Sequence, residues 1–60
     1  MNNNHIYKVC LTVEDERGIF NINMSARNEE EAGKRAIKLL ETNYPIYRGR
    51  ATVYNCRKVL

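Results

Sequence analysis

A chain of 60 residues with 43% hydrophobic and 28% charged side chains has the composition of a folded domain, so we expect order rather than disorder. This length allows one core and one working surface, and it leaves no room for a deep substrate cavity of roughly 300 Å³ or more. The formal net charge of +3 is modest but unevenly spread, because no acid follows Glu41. The cations of this last segment are Arg48, Arg50, Arg57 and Lys58.

The N-terminus is polar, and we expect residues 1–4 to form a disordered tail before a single domain over residues 5–60. It lacks the basic start and apolar run of a signal peptide, and no segment approaches the ~20 apolar residues of a membrane span. We therefore expect a cytoplasmic protein without membrane contact, with Cys10 and Cys56 reduced. His5 is the single histidine and no two ligand residues are closely spaced, so we expect no metal and no cofactor.

Two segments alternate between apolar and polar residues and predict an antiparallel hairpin. The first is His5–Val13, and the second runs from Ile19 to Ala26. The polar stretch between them ends in Gly18, which we expect at a positive φ in a short hairpin loop.

The period then changes to that of a helix. Asn28 is a good N-cap residue, and Glu31 three positions later completes the pattern of a capping box. Pro45 disfavours helical geometry at the residue before it, so the helix should end near Asn43.

The third predicted strand runs from Tyr47 to Leu60. Ala51 and Val53 would face the core, and the outward set would be Arg48, Arg50, Thr52, Tyr54, Cys56 and Lys58. This segment is longer than either preceding strand, which favours a bulge near Asn55 or an overhang.

Together these elements predict an α+β fold of ββαβ type, with a three-stranded antiparallel sheet in the order 2-1-3 and the helix packed on one face. The predicted core is Tyr7, Val9, Leu11, Val13, Phe20, Ile22, Met24, Ala36, Leu39, Leu40, Ala51 and Val53. The opposite sheet face would be polar, basic along one side and free of acids.

No catalytic arrangement is visible, so we do not expect an enzyme or a small-molecule substrate. The basic sheet face favours a nucleic-acid-associated protein, for DNA or RNA. Arg48 and Arg50 would point the same way on a strand and meet successive phosphates, while Tyr54 would stack on a base. The predicted contact residues are Lys8, Arg48, Arg50, Tyr54, Arg57 and Lys58. The alternative for these cations is solvation of an exposed face and protection of an edge strand.

A second class of function fits the long third strand equally. Pairing of that strand with another copy or with a partner's sheet would make the chain a protein-interaction module. Such a module would be a homodimeric regulator or a small inhibitor of a larger machine, of the kind phages and plasmids encode.

The run Ser25-Ala26-Arg27-Asn28-Glu29-Glu30-Glu31-Ala32, followed by Arg48-x-Arg50-x-x-Val53, resembles the central pattern of the archaeal ribosomal protein LX family. The resemblance covers roughly half of the chain. It implies contact with ribosomal RNA through the basic strand. Cys56 and the acidic loop at residues 14–16 depart from that family's pattern.

Overall fold

The alternating and helical segments of the sequence form the predicted ββαβ architecture. The computed structural model describes residues 4–59, so most of the predicted tail and Leu60 lie outside the described residues. The elements are β1 (His5–Val13), β2 (Phe20–Ala26), α1 (Glu29–Asn43), a 3-10 turn (Pro45–Tyr47) and β3 (Ala51–Lys58). The strands form an antiparallel sheet in the order β2-β1-β3, which confirms the predicted topology.

The core lies between α1 and the central strand. Its buried side chains are Tyr7, Val9, Leu11, Val13, Ala26, Ala32, Ala36 and Leu40. Leu39 and Val53 were predicted in this core and are instead 43% and 37% exposed. A single helix does not cover the full width of a three-stranded sheet, so side chains on its flanks and on the sheet edges keep contact with water. Phe20, Ile22, Met24 and Ala51, also predicted core residues, are partly buried.

The start of α1 confirms Asn28 as the N-cap. Its side-chain oxygen accepts a hydrogen bond from the Glu31 backbone N–H at 2.8 Å. The Glu31 carboxylate accepts from the Arg27 backbone N–H at 3.0 Å, one residue before the N-cap, and forms ion pairs with Arg27 and Arg35. The hydrogen bond from the Arg27 backbone is the main cause of the lowered pKa of Glu31.

The chain between α1 and β3 differs from the prediction. The helix ends at Asn43 as expected, but Pro45–Tyr47 forms a 3-10 turn and Gly49 takes a φ of +77°. β3 therefore begins at Ala51, and the predicted strand start at Tyr47 is wrong. Proline suits the first turn of a helix, and glycine tolerates a left-handed φ, so this short sequence favours a turn over a strand.

Candidate nucleic-acid interface

A β-bulge in β3 decides which side chains reach the open face of the sheet. Leu11 lies opposite Val53 and Cys10 lies opposite Asn55, so Tyr54 is the extra residue. The predicted bulge near Asn55 is thus confirmed. Two residues of a bulged strand oppose one residue of its neighbour, which places Tyr54 and Asn55 together across from Cys10.

The bulge also reverses the alternation of the residues that follow it. Cys56 lies opposite the buried Val9, and Lys58 lies opposite the buried Tyr7, so both belong to the helix side of the sheet. Cys56 packs against the core, and its thiol donates to the Glu29 carbonyl at 3.8 Å. The prediction that Cys56 and Lys58 face outward is therefore wrong.

Arg48 and Arg50 do not lie on a strand, so the prediction that they present parallel side chains from β3 is wrong. Arg50 instead ties two loops together: its guanidinium donates to the Glu14 carbonyl at 2.6 Å and to the Ile46 carbonyl at 3.2 Å. It also lies 3.8 Å from the Asp15 carboxylate. These contacts occupy Arg50 within the fold. Arg48 caps the 3-10 turn and is exposed.

Two other predicted contact residues are brought together by the sheet. Lys8 on β1 lies directly opposite Arg57 on β3, two residues along both strands from the pair of Cys10 and Asn55, so both pairs share one face. These four side chains line a hollow of about 240 Å³ on the face opposite α1. Asn55, which lines the hollow, follows the bulge residue Tyr54, and the Tyr54 side chain is 66% exposed.

Lys8 and Arg57 place two like charges on directly opposite residues of neighbouring strands. Within residues 4–59 neither Lys8 nor Arg57 forms an ion pair, and the surrounding face carries no acid. Like charges directly opposite on neighbouring strands destabilise a sheet by roughly 0.2–1 kcal/mol. An anion bound between the two cations would remove this repulsion.

The remaining side chains of the open face are uncharged donors and acceptors. The Cys10 thiol lies 3.0 Å from Oδ1 of Asn21, an arrangement that leaves the Asn21 side-chain NH₂ as a free donor in the described structure. Asn23 is exposed two residues along the same strand. We name the open face by its polar members: Lys8, Cys10, Thr12, Asn21, Asn23, Ser25, Thr52, Asn55 and Arg57.

Sequence reasoning missed a second concavity, on the helix side. A groove of about 400 Å³ runs between α1 and β3 and is lined by Glu29, Glu30, Gly33, Lys34, Ile37, Val53 and Cys56. Burial raises the pKa of the Cys56 thiol at its floor, and the Glu29 carboxylate adds to that rise. The residue of the sequence that could have indicated it is Gly33. The structure gives the reason, because a Cβ at this position would lie 3.0 Å from Cγ2 of Val53.

The chain matches no family model, no curated protein and no solved structure. The resemblance to the archaeal ribosomal protein LX family therefore stays a prediction from the residues that carry it. Among residues 4–59, no helix is long and apolar enough to cross a membrane. In the same part of the chain, no three His, Cys, Asp or Glu side chains come together as a metal-binding group would require.

Proposed function

We propose that this protein is a non-catalytic nucleic-acid-binding domain that uses the open face of its sheet. The observation that carries the proposal is the pairing of Lys8 with Arg57 across neighbouring strands, without an acid beside them. A phosphate group between the two side chains would accept charge-assisted hydrogen bonds from both. Two cations on opposite residues without a neighbouring acid are the arrangement expected of a surface that meets an anion.

The rest of the open face supports a single strand as the ligand. Sheet-based domains bind single strands by placing the backbone along cations and the bases against aromatic rings and amides. Tyr54 is exposed and precedes Asn55, which lines the Lys8–Arg57 hollow, and Asn21 and Asn23 offer amide groups on the far strand. Arg50 is assigned to the fold rather than to contact, while Arg48 and Lys58 lie outside the open face.

The test is fluorescence anisotropy with labelled single-stranded DNA and RNA, measured over a series of salt concentrations. We expect salt-dependent binding of the natural chain, and weaker binding of the Lys8→Gln, Arg57→Gln double variant. If both cations contact phosphate, the salt slope of the double variant should be lower by about 1.4, at about 0.7 per contact on a single strand.

The matched control is the Lys34→Gln, Lys38→Gln double variant, which removes the same charge from the exposed side of α1. It should bind with nearly the natural slope, because these lysines lie on another surface. Equal losses in the two double variants would assign binding to net charge rather than to the open face. Absence of binding at low salt would reject the nucleic-acid proposal altogether.

A further inference from the structure

We propose that β3 pairs with β3 of a second copy, antiparallel across a two-fold axis, to form a continuous six-stranded sheet. Three observations carry this: the open backbone of β3, the groove beside it, and opposite charges near its N-terminal start and its C-terminal half. The proposal does not rest on nucleic-acid binding, because Lys8 and Arg57 project from the open face and stay accessible in such a dimer.

The first observation concerns the backbone of β3. The Glu14 N–H donates to the Arg50 carbonyl at 3.0 Å, and the Val59 N–H donates to the Ile6 carbonyl at 2.8 Å. In an antiparallel pair, residues that face the neighbour alternate with residues whose N–H and C=O face away. The backbone groups directed to the unpaired side of β3 are therefore those of Ala51, Val53, Cys56 and Lys58. β3 is the last strand of the sheet, so the described chain supplies no partner for them.

The second observation is the apolar groove along the same edge. Val53 on β3 lines one side of the groove and is 37% exposed, and Ile37 and Gly33 line the other side from the helix. A neighbouring strand would bring its own helix-side residues, Val53 among them, against this surface. In a symmetric pair the two grooves face each other. Pairing therefore removes apolar surface of both copies from contact with water.

The third observation identifies the partner strand as a second copy. Glu29 and Glu30 lie beside the C-terminal half of β3, because the Cys56 thiol contacts the Glu29 carbonyl. Arg48 lies just before the N-terminal end. None of these three forms an ion pair in the described structure. Antiparallel pairing sets the N-terminal half of each strand beside the C-terminal half of the other, so each Arg48 lies at the side of the pair where the other copy carries its glutamates.

Two features of β3 argue the other way and make the proposal testable. A bulge and terminal cations are devices that keep edge strands from pairing, and β3 has the bulge at Tyr54 with Arg57 and Lys58 near its end. If these devices dominate, the chain is a monomer at every concentration. A monomeric state over the full accessible range would therefore overturn the proposal.

The first experiment is sedimentation velocity over a concentration series, comparing the natural chain with Val53→Pro. The Val53 N–H faces the unpaired side, so proline removes no hydrogen bond to β1 but blocks a bond to a new strand. We expect dimerisation of the natural chain and at least about tenfold weaker dimerisation of the variant, with an unchanged circular dichroism spectrum. Equal dimerisation of the two folded chains would place the interface elsewhere.

The second experiment uses charge reversal and stays informative if Val53→Pro fails to fold. One variant carries Arg48→Glu, and the other carries Glu29→Lys with Glu30→Lys. Each alone should dimerise more weakly, by up to about fivefold per contact, because like charges then meet at both ends of the pair. Mixing the two variants should restore a dimer that contains one chain of each kind, since both ends are then attractive. If the mixture dimerises no better than its components, the reciprocal contact is wrong.

Discussion

β1 and β3 are neighbours in one sheet, yet they differ in almost every physical respect. β1 buries four side chains under α1, whereas no residue of β3 is fully buried. The cause is position, because β1 is flanked on both sides and lies beneath the helix, while β3 forms an edge. The difference indicates that the stability of the domain depends mainly on β1 and that β3 is the element left available for contact.

The same contrast holds for the arginines at the two ends of β3. Arg50 precedes the strand and is held by the Glu14 and Ile46 carbonyls, so its charge is used inside the fold. Arg57 lies near the other end and faces Lys8 across the sheet, with no ion pair among the described residues. Residues of one type thus divide into a structural arginine and one available to a ligand.

The largest expected effect tests the contrast between the strands. Leu11→Ala removes a fully buried side chain from β1 and should lower the free energy of unfolding by roughly 2–5 kcal/mol. Val53→Ala, at the partly exposed edge, should cost less than about 1 kcal/mol. Urea unfolding measures both. If the two variants lose similar free energies of unfolding, β3 contributes as much to the core as β1, and the contrast between the two strands is wrong.

A smaller effect should separate the two arginines. Arg50→Gln loses two hydrogen bonds from a charged donor, and partial exposure reduces the cost to about 1–2 kcal/mol. Arg57→Gln should change stability by no more than about 0.5 kcal/mol, and should favour folding if its repulsion with Lys8 is felt. Thermal and urea unfolding of the two variants provides the comparison. An Arg57→Gln variant that is the less stable of the two would contradict these assignments.

Much of the fold follows from local patterns in the sequence. Alternation gives β1 its bounds, Asn28 fixes the start of α1, and Pro45 fixes its end. Each of these signals acts within a few residues and needs no knowledge of the rest of the chain. The strand order follows because a hairpin, one helix and one further strand leave few arrangements.

The candidate site depended on features that no local pattern contains. Without the bulge, Cys56 would lie opposite Lys8 and Arg57 opposite Tyr7, so the two would exchange faces of the sheet, and the polar residues of β3 fit either arrangement. The role of Arg50 depends on the Glu14 carbonyl, which is 36 residues away along the chain. Only tertiary structure brings these groups together, so the sequence predicted a basic face but misassigned the arginines on it.

The smallest expected effect is a pH dependence of stability. It arises at the junction of β2 with α1, which is part of neither β1 nor β3. Because the Arg27 backbone N–H holds the pKa of Glu31 below 4.5, the folded state binds this proton less readily than the unfolded chain. The stability that Glu31 adds is therefore present above about pH 4.5 and is lost as the pH falls through the lower, folded pKa. Glu31→Gln should flatten the decline of the melting temperature in acid. Glu30→Gln is the control, since the Glu30 side chain makes no hydrogen bond or ion pair in the described structure. An equal flattening in Glu30→Gln would show that the Arg27–Glu31 contact is not the cause.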